Sequence, residues 1–435
     1  MQETNLLLTT FAVIFFSGFL LANPILICAS FAPLFMYLAG IYMAPPEVQI
    51  KRIDLPSSAR LSETIEVEIA GRIIGGPGAA VVCSEVPPPF QLVEGSNYKV
   101  LSKDFKEKRF SFSYKIRCAK CGNYWLGIGW QTRHILGMSH TRVSMDALRQ
   151  LRVFPTLSQI QKARPPMHLV TRTKPSGSTA KIGPLSTDFK EIRDYLSGDP
   201  FKIINWKASA RAAGLGKRYP LVNEYEREGK LAVWLFLDGD PNIRIGNSVE
   251  DTLEYGIRVA YNLSYYFLSK GYSLGMYVYN HRGETSRFAT GKKQFIKIAD
   301  QLLKLASSKG GLQIFWNEGF SRAVEQNQQY LITKFPGIIV ITHVTPGNCN
   351  DLLDGLRKIL AYKRRRRQPN ILTINILPYS TIPAISNRET SAAKMLDTTS
   401  RSLSNQLRTS GSTVLDWDPK NERIEATLLS AIQLK

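Results

Sequence analysis

Residues 231–238 read LAVWLFLD, an unbroken apolar run that ends in an acid. A strand with one wet face alternates apolar and polar side chains, so a run without alternation belongs to a strand covered on both faces. The chain repeats this signal downstream in SLGMYVYN (273–280), GIIVITHV (337–344), ILTINIL (371–377) and TVLDWDP (413–419). Helical stretches separate them. Ser248 stands three residues before Asp251 in the form of a capping box, opening a helix that carries Leu253, Ile257, Ala260, Leu263 and Phe267 on one stripe. Further helices are expected over 292–306, from Asp351, around 389–408 and at the end of the chain. Strands alternating with helices predict a doubly wound parallel sheet over 231–435. Ligands of such sheets sit beyond the carboxyl ends of the strands. The first of those ends is Asp238-Gly239-Asp240-Pro241-Asn242.

Upstream the texture changes. Between 46 and 155 the segments TIEVEIAGRI, QLVEGSNYKVL, RFSFSYKIRC and YWLGIGW are short and alternating, with turn residues between them. They predict an Ig-like β-sandwich. Residues 156–192 are rich in Pro, Ser, Gly and Lys and read as a linker, and 193–230 as a separate charged segment.

The first 45 residues are different again. The runs 6–22 and 24–43 are almost wholly apolar, with Asn23-Pro24 between them and no Lys or Arg before Lys51. A bilayer crossing takes about 20 helical residues, with about 17 as the lower bound. The expectation is a two-helix transmembrane hairpin. A cleaved signal peptide would want a basic start and a shorter core. Lys51-Arg52 directly after the hairpin would keep the soluble domains on the cytoplasmic side of the cell membrane, making a multi-pass protein with the bilayer as a partner.

The 435 residues suffice for two or three domains, and 44% apolar with 21% charged residues is a globular composition. A net charge of +21 favours an anionic partner. Five cysteines, an odd number, argue against a disulfide framework.

Residues 193–211, RDYLSGDPFKIINWKASAR, place heavy charge and one Trp just before the core strand. Arg193, Tyr195, Gly198-Asp199, Lys202, Ile204, Trp206 and Ala210-Arg211 form a pattern that resembles the family called domain of unknown function 58. LRVFP (151–155) and RCAKCGNYWLG also resemble its β module. The resemblance implies two N-terminal spans, a β module and a von Willebrand A-like α/β domain. It also implies a protein without assigned enzymatic activity, associated with a MoxR-type AAA+ ATPase in assembly or maturation of client proteins. The chain carries no P-loop to power such work: RAAGLGKR (211–218) has Arg where the first Gly and the hydroxyl residue should stand. Physically, Arg211 is expected to pair with Asp199 under the cover of Trp206, organising a domain junction or a partner surface.

Three further groups invite chemistry. Asp238, Asp240 and Asn242 present hard oxygen ligands at alternate positions, suited to Mg or another divalent cation, though the serines of the von Willebrand A-type loop are missing. Cys118 and Cys121 with His134 and His140 match the spacing of a two-Cys, two-His zinc site, although Gly137 interrupts the helix such a site needs. Lys363, Arg364, Arg365, Arg366 and Arg367 end a helix and offer an anionic lipid surface, or less readily nucleic acid, a contact. No catalytic constellation is found, so no catalytic residue and no certain cofactor are expected. The reading is a membrane-anchored, non-enzymatic scaffold or adaptor. Its alternatives are an anionic-lipid or nucleic-acid binder acting through 363–367, and a metal-dependent hydrolase at Asp238.

Overall fold

The computed structural model describes the chain except residues 1, 43–44, 136–139, 144–148, 158–184, 196–200, 202–203, 215–219, 228–231, 242–243, 248, 282–283, 308–317, 335, 363–369, 382–385 and 425–435. At 2–5, 40–41, 140–143, 185–191 and 224–227 it describes the backbone alone.

Two helices open the chain, α1 (Gln2–Leu20) and α2 (Pro24–Tyr42), reversing at Ala22, whose φ is +45°. They pack on each other, yet Phe16, Phe19, Ile25 and Phe35 stay largely exposed. Among the described residues no helix is long and apolar enough to cross a membrane. This corrects the transmembrane expectation. The polar start of α1, QETN, takes one turn from its apolar length, and α2 carries Pro33 within it.

Two compact units follow from the contacts, one of Met1–Thr156 with Gly246–Arg258 and Ala299–Leu312, the other of Leu157–Ile245, Val259–Ile298 and Gln313–Lys435. In the first, eleven strands run β1 (Pro46–Asp54), β2 (Ser58–Arg60), β3 (Thr64–Gly75), β4 (Gly78–Ser84), β5 (Gln91–Gly95), β6 (Tyr98–Lys103), β7 (Lys108–Arg117), β8 (Gly122–Leu126), β9 (Ile128–His134), β10 (His140–Val143) and β11 (Arg149–Phe154). They form sheets of order β1-β3-β7-β5, β10-β9-β4-β6 and β2-β11-β8. The alternation seen in sequence is the burial pattern: Ile65, Val67, Ile69 and Ile73 of β3 meet Ala80 and Val82 of β4 and Tyr114 and Ile116 of β7 in one core. Lys103 is buried in that unit, its ammonium donating to the carbonyls of Gly75 and Asp104 at 2.6 and 2.9 Å.

The second unit begins with an antiparallel pair, β12 (Leu185–Asp194) and β13 (Leu221–Arg227), against which lies α3 (Trp206–Ala213). The main sheet comprises β14 (Ala232–Asp238), β15 (Ser273–Tyr279), β16 (Thr285–Ala289), β17 (Gly337–Thr342), β18 (Ile371–Ile376) and β19 (Thr413–Trp417), in the order β16-β15-β14-β17-β18-β19. All neighbours are parallel except edge strand β16, which the sequence pattern did not reveal. Every residue of β15, β17 and β18 is buried, as an unbroken apolar run requires. Trp234 of β14 is fully buried and lies where a Cβ on Gly275 would come within 2.3 Å of its ring, so only Gly fits there.

The connecting helices are α4 (Thr252–Ser269), α5 (Gly291–Ser307), α6 (Gly319–Gln326), α7 (Gln328–Lys334), α8 (Cys349–Ala361) and α9 (Asn387–Thr409). The expected cap of α4 is corrected. Asp251 fills that place, its Oδ1 accepting the Glu254 N–H at 2.7 Å, while Ser248 lies outside the described residues. The terminal helix expected from sequence also lies outside them.

Candidate functional site

The neighbours of β14 in the sheet are β15 on one side and β17 on the other, so the strand order reverses there. A crevice at the carboxyl ends of such strands is where open α/β sheets place their ligands. Asp238 ends β14 at this point and is 5% exposed. Its Oδ2 accepts from the Thr342 hydroxyl at 2.7 Å, at the end of β17. Its Oδ1 accepts from Asn280 Nδ2 at 3.0 Å and from the Asp240 N–H at 3.1 Å. Burial raises its pKa to about 6, against the opposing pull of these hydrogen bonds.

Asn280 carries the network outward. It holds a φ of +55°, a left-handed conformation that Asn tolerates better than most residues. Its Oδ1 accepts the N–H of Gly319 at 2.9 Å, at the start of α6. The next N–H groups of that helix, from Phe320 and Ser321, are received by the Asp351 carboxylate from the first turn of α8. Asp351 therefore does for α6 what an N-cap side chain normally does.

Further along the edge, buried His343 follows Thr342. Its Nδ1 lies 2.7 Å from the Ile376 carbonyl, so Nδ1 carries the proton, and Nε2 faces the Tyr379 hydroxyl at 3.4 Å. Burial lowers its pKa to about 4, leaving a neutral ring. Asn375 donates to Ser404 and Asp416 and accepts the Val344 N–H. These side chains fasten strand ends to one another and to the helices above them.

The sequence singled out Asp238 and Asp240 and missed Asn280, Thr342, Gly319 and Asp351. Asn280 and Thr342 each close an apolar run, which was the available signal. Asn242, the third expected ligand, lies outside the described residues. Among the described residues no group of three or more His, Cys, Asp or Glu is arranged to hold a metal ion. Oδ1 of Asp238 accepts two hydrogen bonds, from Asn280 and the Asp240 N–H, and Oδ2 accepts one, from Thr342.

The zinc reading resolves differently. Cys118 and Cys121 are buried free thiols and His134 is buried, while the His140 side chain is outside the described residues. Burial lifts the Cys118 thiol to about 11, with Glu63 adding to it, and lifts the Cys121 thiol well above the usual cysteine range, with Glu254 adding to it. The turn these cysteines frame is a clamp within the first unit. Lys120 pairs with Asp251 at 2.9 Å, the Cys121 N–H reaches Glu254 at 3.3 Å, and the Asn123 N–H reaches Ser307 at 2.6 Å. Glu254 in turn receives Arg258 at 3.2 Å.

Of the 193–211 signature, Gly198, Asp199 and Lys202 lie outside the described residues, as do Lys363, Arg364, Arg365, Arg366 and Arg367. Arg193 donates to the Asp194 carbonyl at 3.1 Å, and Tyr195 bonds through its N–H to Pro220 and places its ring near Phe201. Arg211 is exposed on α3. Asp199, the expected partner of Arg211, lies outside the described residues, and Trp206 is 67% exposed. It begins an eight-residue helix that has no buried residue, so its ring remains in solvent.

Comparison with known proteins gives the following likenesses. BatB from Bacteroides thetaiotaomicron is 13% identical, over 47% of this chain and 98% of its own, with a TM-score of 0.28. An aerotolerance-related membrane protein from Bacteroides fragilis NCTC 9343 is 13% identical, over 40% of this chain and 99% of its own, with a TM-score of 0.25. A von Willebrand factor type A protein from Catenulispora acidiphila is 11% identical, over 49% of this chain and 43% of its own, with a TM-score of 0.25. Overlaps this loose leave the fold argument with the strand order itself. A comparison with curated proteins found no match. Residues 191–333, which hold the charged signature, β14, Asp238 and Asn280, match the family described as protein of unknown function DUF58.

Proposed function

We propose that the chain is a membrane-associated, non-catalytic scaffold whose α/β unit recognises a protein partner at the carboxyl edge of its sheet. One observation carries this reading: Asp238, Asn280, Asp351 and His343 on that edge all bond within the protein itself. Asp238 accepts from Thr342, Asn280 and Asp240, Asp351 caps α6, and His343 is held neutral against Ile376. A general acid or base must keep a proton-exchanging atom within reach of its substrate. An edge tied down from within instead offers a rigid rim, with Asp240 part-exposed upon it.

The von Willebrand A-like identity of the sheet and a MoxR-type AAA+ ATPase as partner follow from the resemblance of the 193–211 signature. The lack of a P-loop fits a protein that borrows its motor. Membrane association rests on the hairpin. No charged residue occurs between Glu3 and Glu47, and Phe16, Phe19, Ile25 and Phe35 are exposed. A lipid bilayer is the environment that covers such a surface.

The test is purification from membranes in mild detergent with partners identified by mass spectrometry, wild type beside Asp240→Lys. An AAA+ ATPase retained by wild type and lost from the variant supports the reading. An ATPase retained equally by both, or absent from both, overturns it.

A further inference from the structure

We infer that the outer face of α3 is a contact for an anionic phospholipid surface, separate from the apolar hairpin. The helix is two-sided. Its inner side meets β13 through Ser209, whose hydroxyl accepts the Leu221 N–H at 2.8 Å and faces the Leu221 carbonyl at 3.3 Å. Asn205 caps it by accepting the Ala208 N–H at 2.9 Å. At 100° per residue, Trp206, Ala210 and Ala213 then fall on one outward stripe, and Lys207 and Arg211 lie side by side along its flank. All five are exposed. Phe201, 75% exposed, precedes the helix and adds a second ring.

Three features favour lipid as the occupant. Charge is the first: from Phe201 to Arg218 there are five Lys or Arg and no acid. Lys207 and Arg211, the two of these on the described face, suit phosphate headgroups, each cation near an anionic leaflet contributing about 1 kcal/mol. Residue type is the second. Trp prefers the headgroup boundary, where its ring is half-solvated, and an amphipathic helix with Trp or Phe on one face and Lys or Arg beside it lies in that plane. The third is location, and here the inference rests on the membrane reading above: a chain held at a bilayer by 6–42 meets that surface at high effective concentration. An acidic protein segment would meet the charge and seat the Trp as well, but it draws no support from the bilayer at which the chain is held.

The full chain is reconstituted into vesicles of phosphatidylcholine, with or without phosphatidylglycerol, carrying brominated acyl chains that quench indoles on contact. Subtracting the emission of Trp206→Phe from wild type isolates Trp206. The expected result is quenching of that difference signal on phosphatidylglycerol vesicles, weak on phosphatidylcholine alone. Lys207→Gln with Arg211→Gln is expected to shift the contact equilibrium about thirtyfold towards the unquenched state. Vesicle flotation separates the two readings. Protein that floats while Trp206 stays unquenched overturns this inference and leaves the hairpin anchor standing. Protein that floats on neither vesicle overturns both. Quenching equal on the two lipids and unchanged in the double variant also overturns it, as does an acidic protein, co-purifying through Trp206, that shields the ring from lipid.

Discussion

Thr342 donates its hydroxyl to Asp238 at 2.7 Å, joining the ends of β17 and β14 where the strand order reverses. The bond occupies an oxygen that an open loop would hold out to a cation or substrate. It also converts the crevice into a joint: Asp238 binds Asn280, Asn280 binds the first N–H of α6, and Asp351 binds the next two. One buried acid thus sets the position of three strand ends and a helix.

Two groups on this edge make opposite demands on pH. Asp238 has its pKa raised to about 6, so between about pH 4 and 6 the folded state holds a proton that the unfolded state has lost. Its contribution therefore grows as pH falls through that window. His343 has its pKa lowered to about 4, so the unfolded state gains its proton first, and stability is lost as pH falls from about 6.5 towards 4. Each amounts to about 3 kcal/mol at most, and in wild type they largely cancel. Asp238→Asn keeps the acceptor for Asn280 and Asp240 while Thr342 turns to accept. Denaturant melts should show this variant weakening on acidification from pH 6.5 to 4.5 by a few kcal/mol more than wild type. His343→Gln should strengthen over the same range.

The sheet was readable because a buried parallel strand has nothing to alternate with, so LAVWLFLD and GIIVIT announce themselves. Strand β16 was not, since TSRFA is short, half-polar and lies at an edge where burial imposes little pattern. Of the site, Asp238 was legible as an acid at a strand end. Its role was not, because Asn280, Thr342, Gly319 and Asp351 come together only through the strand order. The surroundings of Cys118 and Cys121 were hidden for the same reason: they sit on a turn whose partners, Asp251 and Glu254, lie far along the chain.

Burial should make the cysteine pair inert. Burial pushes the Cys118 thiol up to about 11 and holds the Cys121 thiol well above the usual cysteine range, so at pH 8 both are thiols, and the thiolate is the reactive form. Mass-resolved labelling with a maleimide should modify exposed Cys83 rapidly and Cys118 and Cys121 only at the rate of unfolding. Added chelator should leave that pattern unchanged.

Lys103 is buried, and among the described residues its ammonium is held by the carbonyls of Gly75 and Asp104. Lys103→Met keeps the length of the stem and leaves those carbonyls without a donor. The loss should be about 2 kcal/mol. It should appear as a lower denaturation midpoint with an unchanged slope.

Gly319 begins α6 with a φ of +67°, and a Cβ there would lie 2.8 Å from the Asp351 carboxylate. Gly319→Ala therefore carries two costs, about 1 kcal/mol for the left-handed backbone and about 1–2 kcal/mol for pushing Asp351 off the N–H groups it caps. Asp351→Asn should cost less than the glycine variant, because its oxygen still accepts one N–H. Combining the two separates the causes. If Gly319→Ala acts through Asp351, the double variant should be less destabilised than the two single losses added together. If it acts through backbone strain alone, the losses should add. Urea melts of the four proteins decide between these outcomes, and amide exchange at Phe320 and Ser321 reports which bond has opened.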